Sequence, residues 1–451
     1  MKKKASNYFV KSFLAIVIAV GIFLGLKQRL PKSIFLDNKV SNDGILIDSI
    51  ALAAIADSAS ITDVVLSDST ESLKNRIHIS ISDDSEGLGN ISGFYEKLYQ
   101  LESTGKGKVR IAYFGDSMTD GDLIVQDIRH SYQNKYGGKG VGFVGITSLS
   151  ASARGSIRHQ FSRDWKTQSY LTVRKPTRPF GIDGQVFFST PNGTSWVKYT
   201  ASNQENISML YDPTLFYGKS GNKEASIKVV SNNRDSVPTY QLSTDNLLNK
   251  VSLGSTEKTI KIIFEKTDSI PFYGLNFDDG KGVHVDNFSI RGNSGLPLAL
   301  YNKPLMNALN NTLNYDLIVL QYGTNVLGYD NYNWYENKMI AVVNHLRSCF
   351  PKADILIVSV GDRAKKEDME IKTDKAIAPL IRAQRNCANE VYAGFINLQS
   401  LMGGDGAMVT WVNDGFANKD YTHFNAKGAK KIGELLYSEL DKGYEAYKKM
   451  K

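Results

Sequence analysis

Residues 109–121 read VRIAYFGDSMTDG, and this stretch decides the fold. Val109 to Phe114 is a short apolar run of strand length that ends on the turn Gly115-Asp116-Ser117, and residues 122–136 then carry a helical pattern. A strand running through a tight turn into a helix is the first half of a βα unit. Further along, 316–321 (DLIVLQ), 354–360 (DILIVSV) and 393–398 (AGFINL) repeat the strand signature, with helical stretches near 332–348 and 371–390 between them. Such alternation predicts a parallel sheet covered by helices on both faces. The last helix has a clear start, because Asn425 can cap it and Ala426, Ala429, Ile432, Leu435, Leu436 and Leu440 share one apolar face.

Between 156 and 282 the rhythm changes. Alternating runs such as QVFFST, WVKYTA, ASIKVVS and TIKIIFE are separated by Gly, Asn, Ser and Pro turns, which predicts an all-β sandwich inserted into the α/β domain. A strand-like segment at 282–290 and a helix near 299–313 then resume the βα order. The expected organisation is an N-terminal membrane segment (1–32), a Ser/Asp-rich spacer (33–90), a first catalytic part (91–155), the β insert (156–282) and a second catalytic part (283–451).

The chain has 451 residues and carries 54 Lys+Arg against 46 Asp+Glu, for a net charge of +8. Seven of the positive charges are Lys2, Lys3, Lys4, Lys11, Lys27, Arg29 and Lys32, and no acidic residue precedes Asp37. Without these seven the balance is +1, so the folded part gives no support to nucleic-acid binding. The charge instead flanks the apolar run 12–26 (SFLAIVIAVGIFLGL), whose exit is basic and lacks a small-residue cleavage site. The expectation is an uncleaved signal anchor contacting the inner membrane, with the rest of the chain periplasmic. Two cysteines, Cys349 and Cys387, exclude a disulfide framework and are read as buried helical thiols.

In an open parallel sheet, reactive groups gather at the carboxyl ends of the strands. Three such ends are unusual here. Gly115-Asp116-Ser117 would hold the Ser117 hydroxyl exposed at the start of a helix, where backbone N–H groups stabilise a developing anion. Gly323-Thr324-Asn325 offers a carboxamide, a donor for an oxyanion or a support for a turn. Asp420-Tyr421-Thr422-His423 lets a carboxylate fold back onto an imidazole, which fixes the tautomer and leaves the other ring nitrogen as a base. Of the six histidines only His423 has an aspartate at this spacing; His78, His130, His159, His284 and His345 are read as surface or packing residues.

Taken together and in this order, the three blocks resemble the SGNH (GDSL-type) hydrolase family, with Met118 where leucine is commonest. The resemblance covers roughly 93–155 and 283–445. It implies a flavodoxin-like three-layer sandwich with a central parallel sheet, and bacterial members interrupted by a β-sandwich include O-acetylpeptidoglycan and polysaccharide acetylesterases. It further implies Ser117 as nucleophile, His423 as general base and Asp420 as its orienting partner. The oxyanion donors would be the Ser117 and Gly292 backbone N–H groups and the Asn325 amide, with Gly155 a rival for the glycine. Val326 follows the asparagine where an acidic residue is frequent.

The reaction so implied is removal of O-acyl groups, acetyl foremost, from a cell-envelope or imported glycan through an acyl-enzyme, with neither metal nor organic cofactor. A glycan O-acetyltransferase would keep the same triad, and a non-catalytic glycan-binding protein would use the insert alone. Asp278, Asp279 and Asp286 are read as a solvated turn rather than a calcium site. Trp165, Trp196, Trp334 and Trp411 can stack on sugar rings or serve packing.

Overall fold

The computed structural model describes residues 85–191, 194–231 and 237–451. The expected membrane segment, most of the spacer and His78 lie outside these residues; among the described ones no helix is long and apolar enough to cross a membrane.

Six strands form the central sheet: β1 (Ser85–Glu86), β2 (Lys108–Gly115), β3 (Gly282–Asn287), β4 (Leu317–Gln321), β5 (Asp354–Val358) and β6 (Gly394–Ile396). Their order is β1-β6-β5-β4-β2-β3, parallel throughout except for β1, which runs antiparallel to β6. Setting aside β1, this is the flavodoxin-like order with its switch point between β2 and β4. Alternate residues of β2 face opposite layers. Val109, Ile111 and Tyr113 pack with one set of helices, and Ala112 and Phe114 with the other.

Among the described residues, eight α-helices accompany the sheet: α1 (Ser92–Thr104), α2 (Val125–Tyr136), α3 (Lys303–Leu313), α4 (Asn333–Cys349), α5 (Ile377–Glu390), α6 (Leu398–Met402), α7 (Ala407–Asn413) and α8 (Ala426–Lys449). Helices α1, α2 and α8 share one apolar core and α3, α4 and α5 the other. The expected cap of α8 is present: Asn425 Oδ1 accepts from the Lys427 and Gly428 N–H groups, and Ala429, Ile432, Leu436 and Leu440 are buried. Cys349 and Cys387 are buried free thiols on α4 and α5.

The insert consists of two antiparallel sheets. One orders Thr239–Gln241, Ser226–Ser231, Thr259–Glu265, Trp196–Ala201 and Ile157–Phe161; the other orders Leu248–Ser252, Thr214–Gly218, Phe272–Phe277, Gln185–Phe188 and Lys166–Ser169. Trp196–Ala201 and Thr259–Glu265 alternate buried and partly exposed residues, as strands with one face on a core do. Phe272–Phe277 is buried throughout because it is packed on both faces: Phe272, Leu275 and Phe277 enter the sandwich core, while Tyr273 joins Phe114 and Phe288 in a core of the α/β part.

Several boundaries differ from expectation. Ser85 and Glu86 pair with β6 and Leu88 is fully buried, so the end of the expected spacer belongs to the sheet. Gly142–Val144, placed with the first catalytic part, pairs with Phe272–Phe277 of the insert. The helix expected over 371–390 begins only at Ile377, because Ala364–Glu367 and Glu370–Thr373 form a hairpin ahead of it. That hairpin alternates charges with few apolar residues, which hid its strand character.

Asp278 and Asp286 are not a solvated turn. Both are buried around the fully buried Arg110 of β2. Arg110 Nε donates to Asp286 Oδ2 at 2.7 Å and Nη2 to Asn276 Oδ1 at 2.6 Å, while Nη1 pairs with Asp278. Asp286 also accepts from the Tyr315 hydroxyl at 2.6 Å and the Phe143 N–H at 2.9 Å. One guanidinium therefore joins β2 and β3 of the central sheet to the innermost strand of the insert. The aspartates were read as exposed because the partner that neutralises them lies in a strand far away in sequence.

Candidate active site

Ser117 follows β2 and Asn325 follows β4, the two strands at the switch point, and Asp420 and His423 lie on the loop before α8. Ser117 Oγ is 2.9 Å from His423 Nε2, and His423 Nδ1 is 2.9 Å from Asp420 Oδ2. With Nδ1–H donating to the carboxylate, Nε2 presents its lone pair to the serine hydroxyl.

The Asp420–His423 loop is built for this. Asp420 Oδ1 accepts the N–H groups of Thr422 and His423, each at 3.0 Å, so the carboxylate is fixed before it meets the imidazole. Tyr421 adopts φ 53° to close the loop, and its carbonyl accepts the Ala364 N–H at 3.0 Å from the hairpin. Burial pushes the Asp420 carboxyl up, but the His423 and Thr422 contacts outweigh it and hold the group below the usual range.

The helix expected to begin at Ser117 is not there. A single turn, with the Asp120 N–H on the Asp116 carbonyl at 3.0 Å, carries the serine, and α2 starts only at Val125. Gly121, Asp122 and Ile124 all have positive φ in between. This contorted segment is held by Asp122, which takes both Nη groups of Arg129 at 2.7 and 3.0 Å, while Arg129 Nε donates to the Val285 carbonyl of β3. Arg154, from the segment entering the insert, adds a contact to Asp122 at 3.4 Å. Nothing in residues 116–122 announces a partner for Asp122, and the sequence reading missed it.

Asn325 is carried over the end of β5 by Gly323, whose φ is 136° and where a Cβ would lie 2.6 Å from Val360 Cβ. Its Nδ2 donates to the Asn293 carbonyl at 3.0 Å and to Asp116 Oδ2 at 3.2 Å. Gly292, at φ 82°, precedes Asn293 on the segment leaving β3. Gly155 instead leads into Ile157–Phe161 of the insert, whereas Gly292 lies on the segment that directly follows β3. Among the described residues, neither the Ser117 nor the Gly292 N–H has an internal acceptor.

Asp116 was not singled out by sequence, although it adjoins the serine. It is buried, accepts the Met118 N–H at 2.9 Å, and burial raises its carboxyl to about 6 against the opposing pull of Met118, His423, Thr324 and Asn325. His130, His159, His284 and His345 take no part: His159 stacks on Tyr199, His284 and His345 lie beside backbone carbonyls, and His130 is exposed. Trp411 is buried with Nε1 on the Met402 carbonyl, and Trp165 packs edge-on against Phe264 and Phe272.

Comparison with solved structures finds a peptidoglycan O-acetylesterase at 23% identity and a TM-score of 0.66, covering 80% of this chain and 98% of that one. The two share a fold. An acetyl xylan esterase (18% identity, TM-score 0.28, 35% of this chain and 81% of that one) and a family two carbohydrate esterase from Cellvibrio japonicus (10%, 0.25, 64% and 98%) are too distant to carry an argument. No protein-family model and no curated protein matches the chain.

Proposed function

We propose that the protein is a serine esterase that removes O-acetyl groups from a glycan outside the cytoplasmic membrane, with peptidoglycan the foremost substrate. The observation that carries this reading is the continuous relay from Ser117 Oγ through the His423 ring to Asp420, with both contacts at 2.9 Å. The fold shared with a peptidoglycan O-acetylesterase and the signal-like N-terminal sequence support the substrate class and the compartment.

In this mechanism His423 Nε2 takes the Ser117 hydroxyl proton as Oγ attacks the ester carbonyl. The oxyanion forms against the Ser117 and Gly292 N–H groups, which have no internal acceptor among the described residues, and against Asn325 Nδ2. Imidazolium His423, stabilised by Asp420, then protonates the departing sugar oxygen. A water deprotonated by the same nitrogen attacks the acetyl-serine and releases acetate, and the proton returns to Ser117.

Purified full-length protein, given p-nitrophenyl acetate and O-acetylated peptidoglycan, should release free acetate, and Ser117→Ala should abolish it. Equal release by Ser117→Ala would reject the assignment. Transfer of acetyl to an added glycan acceptor in place of acetate release would make the enzyme a transferase.

A further inference from the structure

One cation stands at the mouth of this site with most of its surface free. Arg291 immediately precedes Gly292, and its side chain is 73% exposed. Its Nε lies 3.5 Å from Asp120 Oδ2, and among the described residues it has no other ion pair. Asp120 is three residues beyond Ser117 and only 10% exposed. Its Oδ1 is held by the Gly121 N–H at 2.9 Å and the Ser150 hydroxyl at 2.6 Å. A fixed carboxylate thus steadies the Nε edge of the guanidinium and leaves the Nη pair to solvent. Two residues along from Arg291, the Asn293 carbonyl receives Asn325 Nδ2, so the cation belongs to the rim of the proposed oxyanion hole.

We propose that Arg291 is a specificity-determining residue that binds a carboxylate on the glycan next to the O-acetyl group. The proposal rests on the esterase reading. An unsatisfied guanidinium fork matches a carboxylate with two parallel hydrogen bonds, a geometry a lysine cannot reproduce. A neutral polysaccharide offers this arginine only hydroxyl acceptors, whereas an acidic glycan gains a charge-assisted bidentate contact. Asp120 orients the fork, and its own charge is shared among Gly121, Ser150 and Arg291. The carboxylate has two possible sources in an envelope glycan: an acidic substituent of the sugar itself, or the short peptide attached to it.

The test measures kcat/KM for acetate release from three donors: O-acetylated peptidoglycan, the same polymer after amidase removal of its peptides, and neutral O-acetylated glucomannan. In Arg291→Ala the ratio of acidic to neutral kcat/KM should fall about 5- to 10-fold, mainly through KM, and the difference should shrink in high salt. Arg291→Lys should recover part of it. Loss confined to intact peptidoglycan assigns the contact to the peptide; loss confined to the amidase-treated polymer assigns it to the sugar carboxylate that cleavage of the peptide amide frees. An unchanged ratio, or an equal loss on all three donors, would overturn the proposal and leave the esterase reading standing. Wild-type protein inactive on every ester would remove both.

Discussion

Asn325 Nδ2 donates to Asp116 Oδ2 at 3.2 Å, and its other hydrogen is taken by the Asn293 carbonyl at 3.0 Å. The amide is therefore fully engaged in the resting site, while the Ser117 and Gly292 N–H groups are not. In the proposed mechanism, transition-state charge draws the amide away from one of these acceptors, and the carboxylate at 3.2 Å makes the longer contact.

An interaction that strengthens only as the oxyanion forms acts on kcat. Asn325→Ala is expected to lower kcat on p-nitrophenyl acetate about 100- to 1,000-fold with KM nearly unchanged. A rise in KM at constant kcat would show that the amide binds substrate instead.

Asp420 is half exposed, yet three donors converge on it. Asp420→Asn keeps an oxygen for the Thr422 and His423 N–H groups but turns an NH2 toward His423 Nδ1, which favours the wrong tautomer. The expected loss is about 100- to 10,000-fold in kcat with little change in melting temperature, measured by ester hydrolysis and by circular dichroism.

Asp116 gives the site a pH-dependent stability. Its carboxyl is raised to about 6 in the folded chain, against about 3.9 when unfolded, so the native state binds the proton more tightly. The stabilisation is fully present below about pH 4 and is lost as pH rises through about 6; it amounts to about 3 kcal/mol at most. Asp116→Asn should remove this component, so urea titrations from pH 4 to 7 should show a flatter profile for the variant than for wild type.

Arg110 is surrounded by two carboxylates in the interior. Arg110→Met leaves Asp286 buried without a cation and Asp278 with only the 3.8 Å contact to Lys108, and is expected to cost about 3–5 kcal/mol, read as a lower urea midpoint. A change under 1 kcal/mol would mean that the carboxylates find protons or water instead.

The contacts of His423 with Ser117 and Asp420 were legible because their information is local. Asp420 and His423 need only one turn of chain between them, and Gly115-Asp116-Ser117 sits at the end of an unmistakable apolar run. The sheet was legible for the same reason: strands such as Leu317–Gln321 are buried on both faces and read as unbroken apolar runs. What escaped was the polar interior. Arg110 passed unremarked inside an apolar run and Asp278 and Asp286 read as a solvated turn, since each makes sense only with a partner more than 150 residues away. Asp122 and Arg129 are seven residues apart, but the left-handed segment that joins them has no sequence signature beyond Gly121.

Strand β2, which leads into Ser117, has both of its sheet neighbours, β3 and β4, on the far side of the insert. As the chain is made, an apolar strand must wait for residues 116–281 before it can pair, a state prone to aggregation. The pairing of Gly142–Val144 with Phe272–Phe277 shortens that wait in space. Once the sandwich has formed, the loop left to close runs through 116–141 and 278–281 alone, roughly fivefold shorter and worth about 1.5 kcal/mol of closure entropy. Whatever the insert does for substrate, it also serves as a folding clasp that brings the two halves of the sheet within reach of each other.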